Sequence, residues 1–120
     1  MATFDDVRTI AMALPQVEEI LTWETDVTFR VNKKMFAVGA DGSDSVSIKA
    51  TPAMQADLLD QDPETFRSAA YVGRYGWVSA NLARIDDGLL RALLTEAWRM
   101  TAPKRIAAGL TTSPPIDTGL

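Results

Sequence analysis

Apolar and polar residues alternate one by one through the first half of the chain, and that period of two limits most of what it can become. Val27, Phe29 and Val31 are interleaved with Thr28, Arg30 and Asn32, while Val46 and Ile48 are interleaved with Ser45, Ser47 and Lys49. Successive side chains of a strand point to opposite faces, so each run presents one apolar and one polar side. Parallel strands are buried on both faces and read as continuous apolar runs. Strict alternation therefore predicts an antiparallel sheet, packed on one side and wetted on the other. Asn32-Lys33 lies between the first run and Met35-Phe36-Ala37-Val38. Asn tolerates left-handed backbone, which a tight hairpin needs. Asp41-Gly42 marks the next reversal, and the β-rich stretch 17–23 precedes them all.

Helical signals flank the strands. Thr3 is placed to cap a first helix, with Asp5 and Asp6 in the turn where negative charge suits the helix dipole. Phe4, Val7, Ala11 and Leu14 share its inner face, Arg8 is exposed, and Pro15 ends it. Thr51-Pro52 opens a second helix that runs to about Asp60 and buries Met54 and Leu58. A turn from Asp62-Pro63 carries Phe66. Two short strands are then expected at 69–72 and 77–82, either side of Gly73-Arg74-Tyr75-Gly76. Asp86 caps the last helix, Ile85 and Leu90 staple its start, and Leu90, Leu93, Leu94 and Ala97 form its stripe, with Trp98 beside them. Pro103 stops it. Helix, four strands, helix, two strands, helix predicts a two-layer α+β domain, an antiparallel sheet with helices packed on one face. Its 120 residues suffice for one domain, assigned to 1–108. The remainder, 109–120, reads GLTTSPPIDTGL and is expected to be a flexible tail.

Composition removes several functions. The chain has no Cys and no His, so it has no thiol nucleophile, no Ser–His pair and no imidazole or thiolate metal site. Its glycines match neither the dinucleotide fingerprint nor the P-loop. Asp5-Asp6 is explained by the helix dipole rather than by a metal, which wants several oxygen ligands. No catalytic constellation, cofactor or metal is expected. No stretch approaches the roughly 18–20 apolar residues of a membrane span, and the acidic start lacks the basic region of a secretory signal. A cytoplasmic protein with no membrane partner is the expectation. Sixteen acidic residues against 12 basic ones leave a net charge of -4, which opposes a dominant electrostatic grip on nucleic acid.

Short motifs fall in a familiar order. They are Leu14-Pro15-Gln16-Val17-Glu18-Glu19, then Trp23, Lys34-Met35-Phe36-Ala37 and Ser47-Ile48-Lys49-Ala50. Ala70-Tyr71-Val72-Gly73, Gly76-Trp77-Val78 and a last helix from Asp86 to Trp98-Arg99 complete the set. In this the chain resembles the MmcQ/YjbR family, whose fold is like that of the bacterial frataxin homologue CyaY and whose members are often labelled DNA-binding. The match runs over 4–101. The resemblance implies a CyaY-like fold and a binding module rather than a reaction. Many members place His before the Trp of the sixth strand. This chain has Gly76 there, so no role of that His is carried over.

Candidate contacts follow from the strand pattern. Arg30 and Lys49 fall on outward faces, Lys33 and Lys34 on the hairpin tip, and Arg74 on the second reversal. Cations on a projecting turn and the adjoining sheet face are what a phosphate-binding wing needs. The plainer explanation is that basic residues keep exposed strands soluble. Trp77, with Trp23, Tyr71 and Tyr75, is a candidate stacking platform for bases; equally, large aromatics fill the margin of a small core. DNA is thus the first candidate partner. A protein or small-molecule ligand on the same sheet face is the alternative, and would call for an apolar, pocket-like patch beside Trp77. The chain is expected to be a monomer or weak dimer.

Overall fold

A computed structural model describes residues 2–22, 25–69 and 73–111. Helix α1 (Phe4–Met12) is followed by strands β1 (Val17–Thr22), β2 (Asp26–Val31), β3 (Lys34–Gly39) and β4 (Ser45–Ile48). Helix α2 (Pro52–Gln61), β5 (Phe66–Ser68), a 3-10 turn (Gly73–Tyr75) and β6 (Val78–Asn81) come next, then α3 (Asp87–Thr101) and α4 (Lys104–Thr111). The six strands form one antiparallel sheet in the order β1-β2-β3-β4-β6-β5.

The local signals act as the alternation and caps predict. Thr3 and Asp6 form a reciprocal capping box, each side chain accepting from the other's backbone N–H. Thr51 Oγ1 accepts from the Met54 N–H with Pro52 at the first helical position, and Asp86 Oδ2 accepts from the Leu89 N–H. Asn32 and Lys33 both take positive φ, 52° and 69°. That is the mirror-image turn whose twist suits a two-residue hairpin.

One face of the sheet is the core. Val27 and Phe29 share it with Ala37, Ile48, Val46, Val78, Ala80 and Phe66, as the cross-strand register requires. Helix α3 lies against β3 and β4, and α1 beside it against β1 and β4. Phe29 pairs with Ala37 but Arg30 pairs with Met35, so Phe36 is an extra residue in β3. That bulge lets Phe36 and Ala37 both be fully buried. Trp98 is fully buried too, and its Nε1–H donates to the Pro15 carbonyl (3.0 Å), tying the last long helix to the start of β1. Burying a large apolar side chain contributes roughly 1.5–3 kcal/mol, and Phe36 and Trp98 are among the largest fully buried side chains. Met54, Leu58 and Leu59 of α2 pack onto it beside β5.

Two expectations, the place of the fifth strand and the exposure of Arg8, need correction. The fifth strand lies at Phe66–Ser68, earlier than 69–72, because Phe66 enters the core opposite Ala80; residues 70–72 lie outside those described. A further helix follows Pro103, with Ile106 buried, and runs to Thr111; 112–120 lie outside the described residues. Arg8 is not simply exposed. Its guanidinium donates to Glu19 (2.8 Å), Asp5 (2.9 Å) and Asp41 (2.6 Å), joining α1, β1 and the β3–β4 turn. Its pKa is pushed up, first by the hydrogen bond to Glu19 and then by that to Asp41. Glu19 is accordingly a partner of that network.

Candidate functional site

The face of the sheet turned away from α1 and α3 is built of polar rows. Register places Ile20, Thr28, Val38, Ser47, Ser79 and Arg67 in one line across all six strands. The next row toward the β2–β3 turn starts with Glu18 opposite Arg30, while Lys49 follows the last residue of β4 and Trp77 precedes the first of β6. Arg30 stands on this face within β2, whereas Lys49 and Trp77 lie just beyond the strand ends.

Topology gathers the sequence candidates at one end of the sheet. The β2–β3 turn carries Lys33 and Lys34, both exposed; β4 ends beside it at Lys49, half-buried; and β6 begins there, preceded by Arg74. Lys34 pairs with the core residue Val31 and so stands at the rim rather than on the polar face. Arg30 lies flat. Its Nε donates to Thr28 Oγ1 (3.0 Å) and Nη2 reaches Thr22 Oγ1 (3.5 Å), while Thr28 in turn donates to the Ile20 carbonyl (2.9 Å). The guanidinium is thus drawn inward along the face, over a buried threonine and with Glu18 across the strand pair.

Trp77 does not serve as an open stacking surface: it is 7% exposed. The ring fills space under the face, and its carbonyl accepts from the Ala69 N–H (3.1 Å) and from Gln55 Nε2 (2.8 Å). The available aromatic is Tyr75, 60% exposed, with the Arg74 guanidinium 4.9 Å from its ring centre and donating to its hydroxyl (2.9 Å). Trp23 and Tyr71 lie outside the described residues. Gly76 holds this loop in place. Its φ is +104°, and a Cβ there would lie 2.6 Å from the backbone of Thr51 and Pro52 at the start of α2. A side chain such as the His of the resembled family does not fit this backbone.

The opposite end of the sheet is acidic. Asp26, Asp41, Asp44 and Glu64 lie there, and two cations answer them in ion pairs: Arg8 with Asp41, and Arg84 with Glu64 (3.1 Å). A shallow pocket of about 270 Å³ opens on the polar face at this end, lined by Asp44, Ser45, Glu64, Thr65, Arg67, Ser79 and Asn81. Its lining is polar and does not include Trp77, whereas a ligand site beside Trp77 would call for an apolar patch. Arg67 is a site residue that no sequence motif marks; it is exposed, directly after the buried Phe66. Beside the pocket, Asp62 accepts from the Thr65 hydroxyl (2.6 Å), which with the Thr65 N–H holds its pKa below the usual carboxylate value. Among the described residues no three Asp or Glu side chains come together as a metal site, and no helix is long and apolar enough to cross a membrane.

Known proteins agree with this architecture. The model of the family described as YjbR matches residues 12–100. The uncharacterized proteins Rv2570 of Mycobacterium tuberculosis and Mb2600 of Mycobacterium bovis are each 28% identical to this chain, over 88% of it and 93% of their own length. Among solved structures, Deinococcus radiodurans protein DR2400, a DUF419 domain, superposes with a TM-score of 0.79 at 22% identity, covering 92% of this chain and 88% of that one. At that identity the likeness is one of fold.

Proposed function

The chain belongs to the YjbR family, and on that premise we propose that it is a non-enzymatic binding module that grips a polyanion, DNA foremost, with the cationic end of its sheet. One observation carries this reading. Lys33, Lys34, Lys49 and Arg74 arrive from three separate stretches of sequence at one end of the sheet, where Glu18 faces Arg30, while Asp26, Asp41, Asp44 and Glu64 lie at the other. An acidic protein then still offers a local positive field, and that field rather than net charge steers a charged partner. In this reading Lys33 and Lys34 contact phosphates from the turn, and Lys49 and Arg74 flank them. Arg30 braces the face through Thr28 instead of reaching outward. Tyr75 takes the stacking role, with Trp77 as its buried support.

Affinity of this kind is modest and strongly salt-dependent, because each phosphate contact releases counterions. Titration of a fluorescent duplex at low salt tests it. The expected result is saturable binding that weakens steeply with added salt; no binding below about 100 µM overturns it. A second reading rests on the pocket around Arg67: its seven polar lining residues suit a small polar ligand instead. In that case thermal stability rises with a small ligand and not with duplex, and an Arg67→Ala variant loses the shift.

A further inference from the structure

Strand β1 is six residues long and stands at the end of the strand order; among the described residues it pairs with β2 alone. Its outer backbone edge is therefore open to a further strand. The other edge differs, since β5 has only three residues and α2 packs beside it. Apolar side chains are left exposed on both faces of β1: Ile20 on the polar face, 39% exposed, and Leu21 on the helix face, 62% exposed. Proteins usually blunt such an edge with charge or distortion. Here Glu18 and Glu19 supply the charge, but the strand is regular and its last half is apolar.

We propose that the open edge of β1 pairs antiparallel with β1 of a second copy of this chain, centred on Ile20. The register follows from parity and charge. A two-fold axis normal to the sheet keeps each face continuous, so residues on one face must meet residues on the same face. Centring on Glu19 would set that carboxylate against its copy, and like charges directly opposite destabilise. Centring on Leu21 leaves only three facing positions within the strand. Centring on Ile20 uses five: Ile20 meets Ile20, Glu19 meets Leu21, and Glu18 meets Thr22. No like charges face each other. The antiparallel arrangement also lays the cationic end of one sheet beside the acidic end of the other, because Glu18 and Arg30 then share a row with the second copy's Thr22 and Asp26. The paired carboxylates thus select the register rather than forbid the contact. A contact one strand wide and about 17 Å long is smaller than a standard interface, so the association is weak and concentration-dependent.

Because the chain has no Cys, single thiols report the register directly. Facing positions in an antiparallel pair lie within disulfide reach. Ile20→Cys should give a covalent dimer under mild oxidation, whereas Leu21→Cys, which faces Glu19, should give little. Sedimentation of the unsubstituted protein from about 10 µM to about 1 mM should show mass rising toward twice that of the monomer. Ile20→Lys, a change at an exposed side chain, should remain monomeric with an unchanged circular dichroism spectrum. Monomer throughout that range overturns the proposal. So does a dimer that survives Ile20→Lys, or a cross-link through Leu21→Cys in preference to Ile20→Cys.

Discussion

The two ends of the sheet hold cations in different company. At the acidic end Arg8 is bonded to three carboxylates and Arg84 to a fourth. At the cationic end Arg30 is bonded to threonine hydroxyls and Arg74 to a tyrosine. A guanidinium held by hydroxyls keeps its charge in the field, whereas one held by carboxylates is neutralised within a few ångströms. The difference teaches that counting charges along this chain says little about its surface. What counts is which charges are already answered.

The comparison can be broken in four ways, and the largest effect is expected at Gly76. Gly76→Ala puts a Cβ into the start of α2 at a positive φ, so it should cost about 3 kcal/mol. A denaturant titration should show the midpoint falling accordingly, and an unchanged midpoint would mean the 3-10 turn is not seated on α2. Next comes the cationic end itself. Lys33→Glu with Lys34→Glu should weaken duplex binding by about tenfold or more and flatten its dependence on salt. The same reversal of two exposed side chains should leave stability nearly untouched.

Third is Arg8→Ala, which frees Glu19 and Asp41 from their common partner. Its side chain is about a quarter exposed, so solvent screening holds the expected loss to about 1 kcal/mol. Arg8→Lys should not restore it, since an ammonium cannot reach three carboxylates in a fixed fork. Smallest is the pH response of Asp62. Its folded pKa lies below 3.8, so it adds stability above that ordinary value and loses it as pH falls through the folded pKa. Asp62→Asn should therefore soften the drop in melting temperature below about pH 4. An equal drop in both proteins would show that the Thr65 bond does not persist in solution.

Much of the fold was legible because it is local. Thr3, Thr51 and Asp86 declare their helices by side chains that bond within three residues, and the alternation from Val27 to Lys49 declares its faces. The Asn32-Lys33 turn is legible in the same way. Strand order was not, since insertion of β6 between β4 and β5 depends on pairings such as Val46 with Ala80 that no local pattern encodes. The candidate site divides along the same line. Alternation along β2 sets Arg30 apart from the core residues Phe29 and Val31. It could not foresee that Arg30 lies down over Thr28, that Trp77 is buried, or that Gly76 is pressed against α2, because each depends on residues far off in sequence. Arg8 shows the same limit: its partners Glu19 and Asp41 are 11 and 33 positions away.

The bond from Trp98 to Pro15 spans 83 positions, and this bears on how the protein is made. A chain emerging from the ribosome presents β1 long before α3 exists. Until Trp98 arrives, the Pro15 carbonyl ahead of that strand lacks this partner, and a closure of such range comes late. Strand β1 can pair with β2 and be tied to α1 through Arg8 and Glu19 early in synthesis, but the approach to that strand is fastened to α3 only once Trp98 has been made.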